Sequence, residues 1–73
     1  MSEHTKKAVG ARLKSSRQAV SLTQAQVAGK LSMTQQQYSR FENGVFELSY
    51  CQIITLCQMF DISADYLLGL KQY

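Results

Sequence analysis

An all-α, compact five-helix domain is what this 73-residue sequence predicts, and three observations carry the expectation. One helix-start signal, Ser/Thr-x-x-Gln, occurs at Thr23/Gln26, Thr34/Gln37 and Ser49/Gln52. In such a box the hydroxyl accepts from the N3 backbone N–H, and the glutamine reaches back to the cap's own N–H. Apolar residues recur at helical spacing around these signals, and no segment sustains the two-residue alternation of a half-buried strand. Finally, the chain has no proline and only four glycines, so little interrupts helices, and no linker or low-complexity tract is evident.

Each element follows in order. Residues 1–4 are expected to form a flexible N-terminal tail, in which His4 has no role, and residues 5–73 a single domain. Helix 1 is expected from about Thr5 to Ala19, with Val9, Leu13 and Val20 on one side. Arg17 falls on that same apolar side, an odd place for an unpaired charge. Helix 2 runs from about Gln24 to Leu31 and buries Val27, Ala28 and Leu31. Its start and the next lie so close that it can be only about seven or eight residues long before a tight turn. Helix 3 spans about Gln35 to Asn43 and inserts Tyr38 and Phe41 into the core. Gly44 then supplies the left-handed conformation favoured just past a helix end.

Ser49 opens helix 4, which continues to Phe60 with Ile53, Leu56, Cys57 and Phe60 inward. Asp61 follows it and tolerates the left-handed region better than most residues. Ser63 caps a short fifth helix carrying Leu67 and Leu68.

Composition narrows the class. Apolar residues make up 45% of the chain, enough for one small core near the lower size limit for folding without staples. No apolar run approaches the length of a membrane span, and the segment MSEHTKK lacks the apolar stretch of a signal peptide. A cytoplasmic protein is expected. Cys51 and Cys57 agree with a reducing compartment. Six residues apart on one helix, they stand roughly 9 Å apart along its axis, too far for a disulfide. They read as small packing residues.

Charge is split along the chain. Up to Arg40, seven basic residues oppose the one acid Glu3, a net of +6; from Phe41 onward Lys71 opposes four acids, a net of −3. One face of such a chain suits phosphate, although a merely solvated basic helix is the plainer alternative. No Ser/His/Asp, Cys/His, metal-ligand or Gly-rich phosphate constellation is present. No enzyme activity, cofactor or metal is therefore expected.

The segment Thr23–Gly44, TQAQVAGKLSMTQQQYSRFENG, bears most directly on function. Two short helices joined by a tight turn form the unit that places a second helix in the DNA major groove. Gln35, Gln36 and Arg40 fall on the outward side of helix 3, flanked by Gln37 and Ser39. Glutamine pairs bidentately with adenine N6/N7 and arginine with guanine O6/N7. A solvated polar face, or a purely capping role, is the alternative for the glutamines. Free N–H groups at the start of helix 2 favour an anion near Gln24. Glutamine in both boxes also avoids the negative charge that glutamate would set beside phosphate. Lys14, Lys30 and Arg12 are electrostatic additions.

From about Val9 to Gly69 the chain resembles the helix-turn-helix domains of lambdoid phage repressors and Cro proteins, the broad XRE-like class. The points of resemblance are Arg17, Thr23-Gln24, Val27-Ala28, Thr34 through Arg40, Glu42-Asn43-Gly44 and the closing run Ile62 to Leu68. The resemblance implies the lambda-repressor-like fold and places base reading on Gln35, Gln36 and Arg40. It adds Asn43 and Thr34 to the phosphate contacts and pairs Arg17 with Glu42 in a buried salt bridge. The class acts as two-fold dimers on pseudo-palindromic sites.

No second domain is read from the sequence, so the dimer interface is expected on the same body, at Phe46, Tyr50, Tyr66, Leu70 and Tyr73. Ordinary core or rim positions are the alternative for these residues. The resemblance implies a dimeric, sequence-specific repressor binding double-stranded DNA. A controller or activator of a restriction–modification system shares its size and architecture. An antitoxin-like module that holds a protein through the apolar C-terminal surface is the contrasting class. Two departures stand out. Ser32 occupies a turn position where the family usually has glycine, and residues 45–48 are Val-Phe-Glu-Leu in place of a basic, proline-containing loop. The second departure weakens any phosphate contact from that loop and frees Phe46 for an exposed or interface position.

Overall fold

The computed structural model describes the backbone of residues 3–72 and side chains from Thr5 onward. Among the described residues the chain forms five helices and no strand: α1 (Glu3–Ala19), α2 (Gln24–Lys30), α3 (Gln35–Glu42), α4 (Tyr50–Phe60) and α5 (Ala64–Leu67). Residues 1 and 2 of the expected tail lie outside the described residues, whereas Glu3 and His4 already belong to α1. That helix thus begins two residues earlier than expected. Each of α2 and α3 is shorter by one residue at its C-terminal end than the sequence suggests.

Local chemistry fixes both ends of these helices. Thr23, Thr34 and Ser49 each accept from the N3 backbone N–H at 3.1 Å, while Gln26, Gln37 and Gln52 return a carbonyl to the cap N–H. Ser63 caps α5 by accepting from the Tyr66 N–H. Helices this short are marginal alone, and each such cap contributes about 1 kcal/mol.

The C-terminal ends are closed by a second recurring device. Ser21, Ser32, Gly44, Asp61 and Gly69 all have left-handed φ, between 55° and 84°. After α3, for example, the Gly44 N–H returns to the Phe41 carbonyl and the Val45 N–H to that of Arg40, the paired bonds of a Schellman motif. Gly44, Asp61 and the strained Ser32 were legible in sequence; Ser21 was not. Its reversal carries Val20 out of α1, leaving that side chain 38% exposed and correcting its placement on the inner face. Ser16 is buried on α1 instead.

The core consists of Val9 and Leu13 from α1, Val27 and Ala28 from α2, Tyr38 and Phe41 from α3, Leu56 and Phe60 from α4, and Leu67 from α5. Leu31, Ile53, Cys57 and Leu68 pack at its margin, half-buried. Helix α3 lies between α1 and α2, and α5 joins α4 to α1. At Gly10 a side chain would run into the Glu42 and Phe41 carbonyls, so glycine there lets α1 approach the end of α3 at backbone contact. Neither cysteine is in a disulfide: Cys51 is exposed, and partial burial raises the Cys57 thiol pKa. No helix among the described residues is long and apolar enough to cross a membrane.

Candidate nucleic-acid interface

Beneath α3 lies a buried polar clamp. The Arg17 Nε donates to Glu42 Oε2 at 2.7 Å, and Arg17 Nη2 donates to Glu42 Oε1 at 3.2 Å. Arg17 Nη1 donates to the Leu22 carbonyl at 2.8 Å, and Gln24 Nε2 donates to Glu42 Oε1 at 3.0 Å. One pair of charges thereby ties the end of α1, the entry to α2 and the end of α3 together. Burial pushes the Glu42 carboxyl pKa up, but the hydrogen bonds it accepts, that from Arg17 first, hold it below its ordinary value. The same bond from Arg17 outweighs the guanidinium's desolvation and raises its pKa.

Tyr38 stands beside this clamp. Its side chain is fully buried, and its hydroxyl has no partner at hydrogen-bonding geometry among the described residues. Burial first, and the neighbouring Glu42 carboxylate second, drive the phenol pKa far above its ordinary value. The ring therefore fills the core with a neutral hydroxyl.

Above the clamp, Gln35, Gln36 and Arg40 are exposed on α3, and with Gln24 and Ser39 they line one open depression. The structure thus brings the expected base-reading residues together on the outer surface of the second helix of the pair. Several polar side chains nearby are already engaged. Gln37 serves the Thr34 cap, Asn43 Nδ2 donates to Ser39 Oγ at 3.3 Å, and Gln24 is turned toward Glu42. Gln24 retains its place at the first turn of α2, but its amide is partly spent on the clamp. The Thr34 hydroxyl is occupied by the Gln37 N–H.

The outlying basic residues separate. Lys14 and Lys30 are exposed. Arg12 is half-buried against Gly69 and lines a different depression with Tyr66, Leu70 and Lys71. Arg12 is therefore not gathered with the α3 residues.

Of the residues expected at an interface between copies, Tyr50 is 87% exposed, Leu70 73% and Phe46 46%, while Tyr66 is half-buried. Tyr73 lies outside the described residues. Val45 and Ile54 are also large exposed apolar residues, and sequence reasoning missed them. The available signals were the uncharged pair Val45-Phe46 and the i, i+4 spacing of Tyr50 and Ile54.

Comparison with known proteins agrees with this architecture. The chain superposes on the crystal structure of the DNA-binding domain of BldD with a TM-score of 0.78 at 20% sequence identity, covering 92% of this chain and 97% of that one. At that identity the likeness is one of fold. A search of curated proteins found no match. The family model described as "Helix-turn-helix domain" matches residues 10–72, a span that holds all but the first turns of α1 and every residue of the clamp and the outer α3 surface. The chain belongs to the helix-turn-helix domain family.

Proposed function

We propose that this protein is a sequence-specific double-stranded DNA-binding transcriptional regulator that lays α3 in the major groove. The observation that carries the reading is the exposed set Gln35, Gln36 and Arg40 on a helix whose opposite side is locked to α1 by Arg17 and Glu42. Base discrimination needs polar forks held in fixed register, and each bidentate pair contributes about 1–3 kcal/mol. In this reading Gln37, bonded to the Thr34 cap, and Ser39, bonded to Asn43, support that set. Backbone groups at the starts of α2 and α3, together with Asn43, Lys14 and Lys30, supply the phosphate contacts in this reading.

The regulator acts as a homodimer on a pseudo-palindromic operator, since a single domain of this size makes few base contacts. Its exposed apolar residues Val45, Phe46, Tyr50, Ile54 and Leu70 are the candidates for the interface between copies. Repression, by occupying a promoter, is the mode proposed. In vitro selection from random duplex DNA tests the reading. A recovered consensus with two-fold symmetry supports it, and enrichment of nothing above background defeats it. Sedimentation at high concentration, with and without the selected duplex, tests the dimer; a monomer under both conditions removes it.

A further inference from the structure

We propose that Phe46 is a positioning residue for base discrimination, its ring fixing the guanidinium of Arg40 for the base pair that Arg40 reads. This inference rests on the DNA-binding reading given above. The arrangement begins with the reversal at Gly44. It turns the chain so that the Val45 and Phe46 N–H groups both point to the Arg40 carbonyl, at 2.8 and 3.4 Å. The ring of residue 46 is thereby carried over the side chain of residue 40. The Arg40 Cζ lies 5.6 Å from the Phe46 ring centroid, within the range at which the ring's negative face attracts a cation.

The ring is itself located by the core. It meets Phe41 edge-on, with centroids 6.2 Å apart and planes at 66°, and Phe41 is buried. The position of Arg40 is thus referenced to the hydrophobic core through one aromatic contact. An exposed arginine otherwise samples many rotamers, and bidentate recognition of guanine requires its planar fork in one orientation. Restraining the fork before DNA arrives lowers the ordering cost of binding in that orientation. Phe46 needs no contact with DNA to do this. The geometry also explains an aromatic residue in a loop where half its surface is exposed.

The test compares the full chain with Phe46→Leu, Phe46→Tyr and Arg40→Ala. Binding is measured to the operator selected by the wild type and to every single-base-pair change in it, with melting curves to verify folding. Leucine keeps apolar bulk for the core and for any interface, but has no π face; tyrosine keeps the ring. Arg40→Ala identifies the base-pair position that Arg40 reads. At that position Phe46→Leu is expected to lower discrimination roughly 2- to 5-fold, the size of an exposed cation–π contact. Other positions should be unchanged, and Phe46→Tyr should retain the wild-type profile. An unchanged Phe46→Leu profile, or a loss spread evenly over all positions, overturns this inference while leaving DNA binding intact. Failure of the wild type to select any sequence overturns the DNA-binding reading itself, and this inference with it.

Discussion

Arg17 and Glu42, 25 residues apart in sequence, meet in a two-pronged buried ion pair whose shorter contact is 2.7 Å. The carboxylate also receives the Gln24 amide, and the guanidinium also reaches the Leu22 carbonyl. These bonds run from the helix that frames the domain to the pair that carries the outer surface. The pair's contribution to stability is small beside its contribution to geometry, because desolvation offsets most of the Coulombic gain. Its removal is a different matter.

Glu42→Ala leaves the Arg17 charge buried with only the Leu22 carbonyl, and should cost roughly 3–5 kcal/mol. In a domain this small that lowers the melting temperature by on the order of 12 °C or more. An unchanged melting temperature would show that the pair is dispensable. The pH dependence follows from the depressed folded-state pKa of Glu42. The unfolded carboxyl takes up its proton near the ordinary value of 4.5, before the folded one does. Stability from this group is therefore complete above that pH and is lost as pH falls through the folded pKa. Melting curves between neutral and acid pH should show a steeper acid decline for the wild type than for Glu42→Gln.

Gly29 and Ser32 present the opposite opportunity. A methyl group at Gly29 would meet nothing within 4 Å, so Gly29→Ala should stabilise α2 by up to about 1 kcal/mol. Ser32 sits at φ 57°, where an L-residue pays roughly 1–2 kcal/mol. Ser32→Gly relieves that strain at some cost in unfolded-chain entropy, for a smaller net gain. Chemical denaturation should rank Gly29→Ala above the wild type; a decrease would mean that the α2 backbone is held differently.

Much of this was legible because it is local. A Ser/Thr-x-x-Gln box satisfies its bonds within four residues, so Thr23, Thr34 and Ser49 announce their helices without reference to the fold. Gly44 and Asp61 likewise end helices by their own conformational preference. Gly10 was illegible because its reason lies 32 residues downstream, at the Glu42 carbonyl. The Gln24 bond to Glu42 was illegible because nothing near Gln24 in sequence reveals the carboxylate that takes its amide. Val20 continued the apolar spacing of α1, but the reversal at Ser21 outweighed its burial. The exposed row Gln35, Gln36 and Arg40 was legible because Tyr38 and Phe41 fix which side of α3 faces inward.

Gly10→Ala puts a methyl group against the Glu42 and Phe41 carbonyls. Backbone on both sides leaves no side chain free to yield, so α1 must shift from α3. The expected loss is about 1–3 kcal/mol, despite alanine's better helix propensity. A gain in stability at this position would contradict the close approach of the two helices.

Tyr38→Phe keeps the ring and removes a buried hydroxyl that lacks a good partner. An unsatisfied buried polar group costs about 1–3 kcal/mol. Melting temperature should therefore hold or rise. A clear drop would show that the hydroxyl supports the Glu42 carboxylate in solution.

The central claim is that α3 reads bases through Gln35, Gln36 and Arg40. Its most direct measurement is the ratio of operator to random-duplex affinity for the wild type and the Gln35→Ala/Gln36→Ala double variant, at fixed salt and with folding and oligomeric state verified as unchanged. Loss of two bidentate pairs predicts a fall in that ratio of at least about tenfold, with non-specific affinity, set by phosphate contacts, nearly preserved. An unchanged ratio would contradict the account.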